Sequence, residues 1–122
     1  YYRDVLCPAV ESGEVTYFEL QKKYELQPKY THNGKTVLPI IYVADFYMEY
    51  ADGHIEVVDT KGCPDSVAKL KRKLFWFIYP DIDYRWITYV QKWGGWLEYE
   101  VVKELRKEAK RSKNKKEEPD NG

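Results

Sequence analysis

Two charged side chains, Asp59 and Lys61, end an otherwise apolar stretch in the sequence GHIEVVDTKG, residues 53–62. Successive side chains of a β-strand point to opposite faces, so Asp59 and Lys61 share one face, roughly 6 to 7 Å apart. That spacing lets one metal-bound water contact a carboxylate ligand and an ammonium group together. The competing interpretation is a salt bridge at a strand end, which contributes little stability when it is exposed.

A second carboxylate, Asp45, lies in the apolar stretch IIYVADFYM, where an unpaired charge would be costly to bury. The ADGH sequence between the two stretches is typical of a β-hairpin turn, which places Asp45 and Asp59 on adjacent strands. Two carboxylates suit Mg²⁺ or Mn²⁺, which keep several waters and accept a substrate phosphate. Beside such an ion, Lys61 would orient or deprotonate the attacking water, or stabilise charge on the phosphate. A metal site for phosphoryl chemistry is therefore one hypothesis, beside the salt bridge at a strand end.

A basic segment follows this candidate site. The sequence KLKRK contributes four cations without an intervening acid: Lys69, Lys71, Arg72 and Lys73. A local basic patch is what a nucleic-acid backbone needs, because each neutralised phosphate releases counterions. We therefore take these four residues as candidate DNA contacts, with a merely solvated helix face as the alternative.

The segment that carries these cations has helical periodicity. Asp65 or Ser66 can cap the start of the helix, and Pro80 ends it. The apolar spacing predicts a core face formed by Val67, Leu70, Leu74 and Phe77 or Ile78. The basic side chains would then lie outside the core.

Hydrophobic periodicity predicts the element order α-β-β-β-α-β-α for the whole chain. A helical start precedes a strand from about Tyr24 to Thr31, and HNGK predicts a tight hairpin turn after it. The following residues read as two long strands joined at ADGH, with Pro39 indicating an edge or a bulge. DYRWITYV reads as a strand, QKWGGW as a break, and the residues from about Leu97 as a charged helix. Three antiparallel strands followed by a β-α-β crossover predict a mixed sheet.

The composition is typical of one globular domain without a membrane span. The 122 residues carry 20 basic and 20 acidic side chains, and no apolar run approaches the roughly 20 residues of a membrane helix. Zero net charge argues against bulk coating of nucleic acid but allows a focused site. Cys7 and Cys63 alone predict neither a disulfide framework nor a zinc site, which favours a reduced cytosolic protein. We expect one domain over residues 1–111 and a polar, disordered tail over 112–122.

Taken in order, Asp45, the VVDTKG segment and the basic helix resemble the PD-(D/E)xK nuclease superfamily. More narrowly, a phage-encoded family of predicted small endonucleases, domain of unknown function 1064, is similar in five ordered segments: YELQPKY, HNGKTV, YVADF, VVDTKG and KLKRKLFWFIYPD. The resemblance spans about Tyr1 to Val90. It implies an α/β, restriction-endonuclease-like fold with an α-β-β-β-α-β core, a mixed sheet and a C-terminal helix.

The resemblance also implies roles for the candidate residues. Asp45 and Asp59 would bind Mg²⁺ or Mn²⁺, and Lys61 would be the catalytic lysine. Such nucleases usually carry an acid in the first helix, about one turn before the aromatic pair that matches Tyr1 and Tyr2. The sequence opens in what reads as the middle of a helix. This acid is therefore expected upstream of Tyr1, or else the site is incomplete.

Two functional hypotheses follow. The first is a metal-dependent DNA endonuclease acting in the host cytoplasm as a phage or prophage protein, with branched DNA such as a Holliday junction or a flap as its substrate. The second is a DNA-binding or assembly module that keeps the nuclease fold without catalysis. A homodimer is considered as well, because cutting both strands of a symmetric substrate needs two sites.

Overall fold

The computed structural model describes residues 1–117. The first helix consists of a π-helical turn over Tyr2–Leu6 followed by α1 over Cys7–Ser12, and the later helices are α2 (Ser66–Ile78) and α3 (Tyr99–Glu117). The strands are β1 (Val15–Gln27), β2 (Tyr30–His32), β3 (Lys35–Val37), β4 (Ile40–Tyr50), β5 (Ile55–Thr60), β6 (Asp83–Val90) and β7 (Gly95–Glu98).

Five of the strands form one mixed sheet in the order β1-β4-β5-β6-β7. The β5–β6 pair is parallel and the other three pairs are antiparallel. Helix α2 makes the crossover between the two parallel strands, as a β-α-β connection requires. The predicted fold class, an α/β restriction-endonuclease-like α-β-β-β-α-β core with a mixed sheet and a C-terminal helix, is confirmed.

Two prolines separate a small hairpin from the main sheet. The HNGK turn is a hairpin as predicted, with positive φ at Asn33 and Gly34, but it joins β2 to β3 in a two-stranded ribbon. Strand β1 ends just before Pro28, and β4 begins just after Pro39. Proline has no N–H to donate to a ladder, so both long strands stop there. The predicted strand from Tyr24 to Thr31 therefore has the wrong bounds: it starts earlier and ends earlier.

The sheet separates two apolar cores. One lies between the sheet and α2 and is rich in aromatic rings, with Phe75 of α2 in contact with Tyr24, Tyr42 and Tyr84 of the sheet. The other lies between the sheet and the first helix, where Leu6 is completely buried. We refer to these sides of the sheet as the α2 side and the first-helix side.

Helix α2 forms where predicted, but it buries a different face. The Asp65 side chain accepts a hydrogen bond from the Ala68 N–H at 2.8 Å, which caps the helix start. The predicted core face is wrong at three of its positions. Val67 is 57% exposed, Leu70 is 56% exposed and Phe77 is 85% exposed. Phe75 is fully buried instead, on a face that also carries Ala68, Arg72 and Tyr79.

The segment after β6 contains a strand that the pattern did not predict. A 3₁₀ turn over Gln91–Trp93 leads through Gly94 and Gly95, both at positive φ, into β7. Glycine adopts this backbone conformation without steric cost, so the two glycines reverse the chain and allow β7 to pair with β6. Helix α3 begins at Tyr99 rather than at Leu97.

The predicted division into a domain over 1–111 and a tail over 112–122 stays a prediction. Residues 112–117 are the last part of α3, and residues 118–122 lie outside the described part of the chain. Among residues 1–117, no helix is both long enough and apolar enough to cross a membrane.

The buried face of α2 gives a direct stability test. Phe75→Ala should lower the free energy of unfolding by about 3 to 5 kcal/mol, because it leaves a cavity among four aromatic rings. Lys73→Ala, at an exposed position of the same helix, should change it by less than about 0.5 kcal/mol. Urea unfolding followed by far-UV circular dichroism measures both, and equal effects would contradict the assigned face.

Candidate active site

Strands β4 and β5 stop pairing through their backbones at one point, and two carboxylates continue the connection there. The regular ladder runs from Glu49↔Ile55 to Phe46↔Val58. Beyond it, the Asp45 N–H donates to Asp59 Oδ1 at 2.8 Å. In the other direction, Thr60 donates to Asp45 Oδ2 through its N–H at 3.1 Å and its hydroxyl at 3.0 Å. Each aspartate therefore takes the place of a backbone carbonyl on the opposite strand.

The predicted pair of Asp59 and Lys61 is formed. Lys61 Nζ lies 3.3 Å from Asp59 Oδ2, and the Asp59 side chain is only 2% exposed whereas that of Lys61 is 27% exposed. The Lys61 N–H donates to the Ile87 carbonyl at 2.8 Å, and the Thr88 hydroxyl donates to the Lys61 carbonyl. Strand β6 thus fixes the Lys61 backbone, so the ammonium is held beside a buried carboxylate rather than at a free strand end.

The carboxylate of Asp45 and the ammonium of Lys61 face different cavities. Asp45 lines an open cavity of about 430 Å³ on the first-helix side, which is also lined by Tyr1, Tyr2, Leu20, Gln21, Phe46, Thr60 and Trp96. Lys61 lines a cavity of about 320 Å³ between the sheet and α2, together with Lys71, Tyr84 and Trp86. Asp59 connects the two sides from its buried position. The three predicted residues are therefore connected by the Asp45–Asp59 hydrogen bond and the Asp59–Lys61 ion pair. Lys61 also lines a third cavity together with Thr60 and Trp96, which both line the cavity beside Asp45.

The four cations of α2 divide into two pairs. Lys69 and Lys73 are exposed. Lys71 instead donates through Nζ to the Ile41 carbonyl at 3.0 Å. Arg72 lies 2.8 Å from Glu100 and stacks 4.0 Å from the centre of the Trp86 ring. The contact of these four residues with DNA stays a prediction, and Lys69 and Lys73 are the two whose ammonium groups face solvent.

A second buried acid lies on the first-helix side. Glu56 is 6% exposed and accepts hydrogen bonds from the Tyr50 hydroxyl at 3.2 Å and from Arg85 at 3.3 Å. Arg85 also binds Glu98 at 2.8 Å. Because its charge is already balanced by a guanidinium, Glu56 is best explained as part of an ion-pair network in the sheet.

Sequence reasoning missed two residues that contact Asp45: Thr60, with the two hydrogen bonds described above, and Gln21. Gln21 of β1 donates through Nε2 to Asp45 Oδ1 at 3.2 Å. Its φ of 56° lies in the left-handed region, which residues other than glycine rarely adopt. No hydrophobic period marks this position, because a polar residue within FELQKKY reads as ordinary surface of an edge strand.

The negative charge of Asp59 helps to raise the pKa of two buried tyrosines in the α2-side core. Burial, followed by the negative charge of Asp59, raises the pKa of Tyr42 well above its usual value. Burial is also the largest cause that raises the pKa of Tyr84 to about 12, and the Asp59 charge adds to it. The Tyr84 hydroxyl accepts a 2.7 Å hydrogen bond from Trp86, whereas the Tyr42 hydroxyl has no partner within residues 1–117.

The chemistry of the donor set fits a hard divalent cation in part. Within the described residues, no group of three or more His, Cys, Asp or Glu side chains is placed to hold a metal ion. Asp45 and Asp59 supply two carboxylates that are linked through neighbouring peptide groups. Mg²⁺ is commonly bound by one or two carboxylates with water and substrate phosphate completing its shell. The two aspartates are therefore the residues that could hold it.

Comparison with protein families gives one match. The model of a family described as protein of unknown function (DUF1064) matches residues 1–95. The chain belongs to this family. The match includes β1 to β6 and α2, and thus every residue of the candidate site. A comparison with curated proteins found no match.

The raised pKa of Tyr84 gives a prediction for alkaline pH. The folded state holds the Tyr84 proton up to about pH 12 while the unfolded chain releases it near its usual value of 10, so stability present below pH 10 is lost as pH rises toward 12. When the pH rises from 9 to 11, the free energy of unfolding should fall by about 1 kcal/mol less in Tyr84→Phe than in the unsubstituted protein.

Urea unfolding at several pH values measures this difference. Tyr84→Phe also removes the hydrogen bond from Trp86, but that loss shifts stability equally at every pH and leaves the slope unaffected. Tyr30→Phe in the exposed ribbon is the control and should follow the unsubstituted protein. A Tyr84→Phe slope identical to that of the control would show that Tyr84 is not the group responsible.

Proposed function

We propose that this protein is a metal-dependent DNA endonuclease of the PD-(D/E)xK superfamily that hydrolyses phosphodiester bonds. The observation that carries the proposal is the placement of the Lys61 ammonium 3.3 Å from the buried Asp59 carboxylate, at a strand end that Asp45 binds directly. An exposed salt bridge at a strand end would contribute little stability, whereas the Asp59 side chain is only 2% exposed. The Asp59–Lys61 pair lies where β4 and β5 part, with an open cavity on each side of the sheet.

In this proposal Asp45 and Asp59 hold Mg²⁺ or Mn²⁺. When bound, such an ion polarises the phosphate and lowers the pKa of an attacking water. Lys61 places a positive charge next to the buried carboxylate, where it would stabilise the charge that builds up on the phosphate oxygens. Thr60 donates two hydrogen bonds to Asp45, and so fixes the orientation of that carboxylate before substrate arrives.

Binding of DNA is proposed to use local rather than net charge. The chain has 20 basic and 20 acidic residues, so attraction for a phosphate backbone must come from clusters such as the exposed Lys69 and Lys73. Lys61 and Lys71 add two ammonium groups along the cavity beside α2. Branched phage DNA, such as a Holliday junction or a flap in the host cytoplasm, remains the proposed substrate, by analogy with the superfamily.

A non-catalytic DNA-binding or assembly module is the second candidate, and one observation favours it. Every oxygen of the two aspartates already has a partner in this chain: Asp45 binds Gln21 and Thr60, while Asp59 binds the Asp45 N–H and Lys61. Such a closed network would also serve simply to join β4 to β5. In an endonuclease, metal and substrate would compete with these partners for the aspartate oxygens. In a non-catalytic module they would not.

A cleavage assay distinguishes them. The full-length chain should cut linear, flap or four-way DNA only when Mg²⁺ or Mn²⁺ is present. Asp45→Asn, Asp59→Asn and Lys61→Met should each reduce the cleavage rate at least about 100-fold, because each removes a ligand or the charge beside the phosphate. Asp81→Asn and Lys35→Met, at exposed positions away from the site, should stay within about twofold.

Far-UV circular dichroism must show that each variant is folded before its rate is interpreted. Cleavage that survives both Asp59→Asn and Lys61→Met would remove the site assignment. Binding of all three DNA forms without cleavage of any of them, in either metal, would favour the module.

A homodimer is part of the proposal, and the exposed face of α2 is the surface that supports it. Val67, Leu70 and Phe77 form an apolar seam along the outside of the helix, and Leu74 continues it from a position against the α2-side core. Three of these side chains are more than half exposed. A contiguous apolar face of this kind commonly marks a protein interface.

Sedimentation equilibrium tests this surface. The unsubstituted chain should show a concentration-dependent dimer, and Phe77→Glu should raise its dissociation constant at least about tenfold by placing a charge in the seam. Val101→Glu, at an exposed apolar position of α3, is the matched control and should leave it unchanged. A chain that stays monomeric at all concentrations, or a dimer insensitive to Phe77→Glu, would contradict the interface.

A further inference from the structure

Gln21 and Asp45 lie opposite each other on neighbouring strands without pairing as the residues around them do. The ladder of β1 and β4 joins Lys22 to Ala44 and Leu20 to Phe46, and it omits the Gln21–Asp45 position between them. Gln21 has a φ of 56° in the middle of a 13-residue strand. For a residue with a Cβ atom this conformation is strained, so the surrounding structure must enforce it.

The side chains of β1 change the face of the sheet on which they lie near this missing pair. In a regular strand, residues separated by an even number share a face. Tyr24 and Leu26 lie in the α2-side core, yet Phe18 packs against the first-helix core. All three have even numbers, so the alternation of β1 must change phase between residues 18 and 24. Gln21 is the residue in that interval with the left-handed backbone.

Strand β4 changes phase at the same level. Tyr42 and Ala44 lie in the α2-side core, whereas Phe46 and Met48 lie in the first-helix core. Asp45 is the residue between the two sets. The two neighbouring strands therefore kink together, and the kink brings the Asp45 carboxylate to the cavity on the first-helix side.

The side chain of Gln21 binds the Asp45 carboxylate, and the backbone of Gln21 helps to position that carboxylate. Gln21 Nε2 donates to Asp45 Oδ1 at 3.2 Å, while Thr60 of β5 binds Oδ2. Each oxygen of the Asp45 carboxylate thus accepts a hydrogen bond from a different neighbouring strand, Oδ1 from β1 and Oδ2 from β5. Backbone strain of this kind persists where an arrangement of side chains depends on it, and such places cluster at functional sites.

We infer that Gln21 is a positioning residue for the metal-binding carboxylate of Asp45. The inference rests on the proposed function, because it assigns Gln21 the task of orienting a ligand of the divalent cation. A hydrogen bond to a metal-ligating carboxylate fixes its orientation, and loss of such a partner typically weakens metal affinity or activity by about 10- to 100-fold.

Two substitutions separate the side chain from the backbone. Gln21→Gly and Gln21→Ala both remove the amide, but only glycine adopts a positive φ without strain. Gln21→Gly should therefore unfold at a higher urea concentration than Gln21→Ala. Both variants should bind Mn²⁺ about 10- to 100-fold more weakly, as measured by titration calorimetry without DNA, and both should cut DNA correspondingly more slowly.

Gln27→Ala at the end of the same strand is the matched control, and its Mn²⁺ affinity should equal that of the unsubstituted chain. If Gln21→Gly keeps full Mn²⁺ affinity and cleavage, the positioning role is overturned while the proposed nuclease stands. If affinity instead follows unfolding stability across the two variants, Gln21 acts only on the fold and the inference is again wrong. An unsubstituted chain that binds no Mn²⁺ would overturn the proposed function and this inference together.

Discussion

The arrangement of this protein depends on a place where two central strands exchange side-chain carboxylates instead of backbone carbonyls. Asp45 and Asp59 each accept a hydrogen bond from a peptide N–H of the opposite strand. A buried N–H without an acceptor would cost free energy, so the strands can part here only because the carboxylates satisfy them. The two carboxylates that allow the strands to part thus also place negative charge in the middle of the domain.

The two cores meet at this point, and each secures one side of it. On the α2 side, Asp59 is 2% exposed, and the Lys61 ammonium lies 3.3 Å away to balance its charge. On the first-helix side, the kinked strands leave Asp45 beside an open cavity. One carboxylate is therefore fully buried while its half-buried neighbour borders a cavity, and this difference follows from the packing around the two residues.

Much of this could be predicted from the sequence because the signals were local. The Asn-Gly turn, the Asp65 cap and the shared face of Asp59 and Lys61 each depend on residues a few positions apart, and all three are present. The buried face of α2 was wrong for a physical reason. Arg72 covers Trp86 with its guanidinium and so occupies a core position, while the purely apolar stripe of the helix is left outside. The paired kink at Gln21 and Asp45 has no local pattern at all, since it arises only when two strands lie side by side.

The contact between Lys71 and the Ile41 carbonyl has a consequence for how the chain behaves in a crowded solution. Strand β5 leaves β4 at Asp45, so in the described structure the stretch of β4 from Ile40 to Ala44 has backbone groups on one edge that no strand covers. An uncovered edge is a template on which another chain can add a strand, and lysine is a residue that proteins use to prevent it. By donating to Ile41 at 3.0 Å, Lys71 occupies one acceptor and places a charge across this edge. The parting of the strands beside the candidate site thus leaves a short uncovered edge, at which Lys71 opposes the addition of another strand.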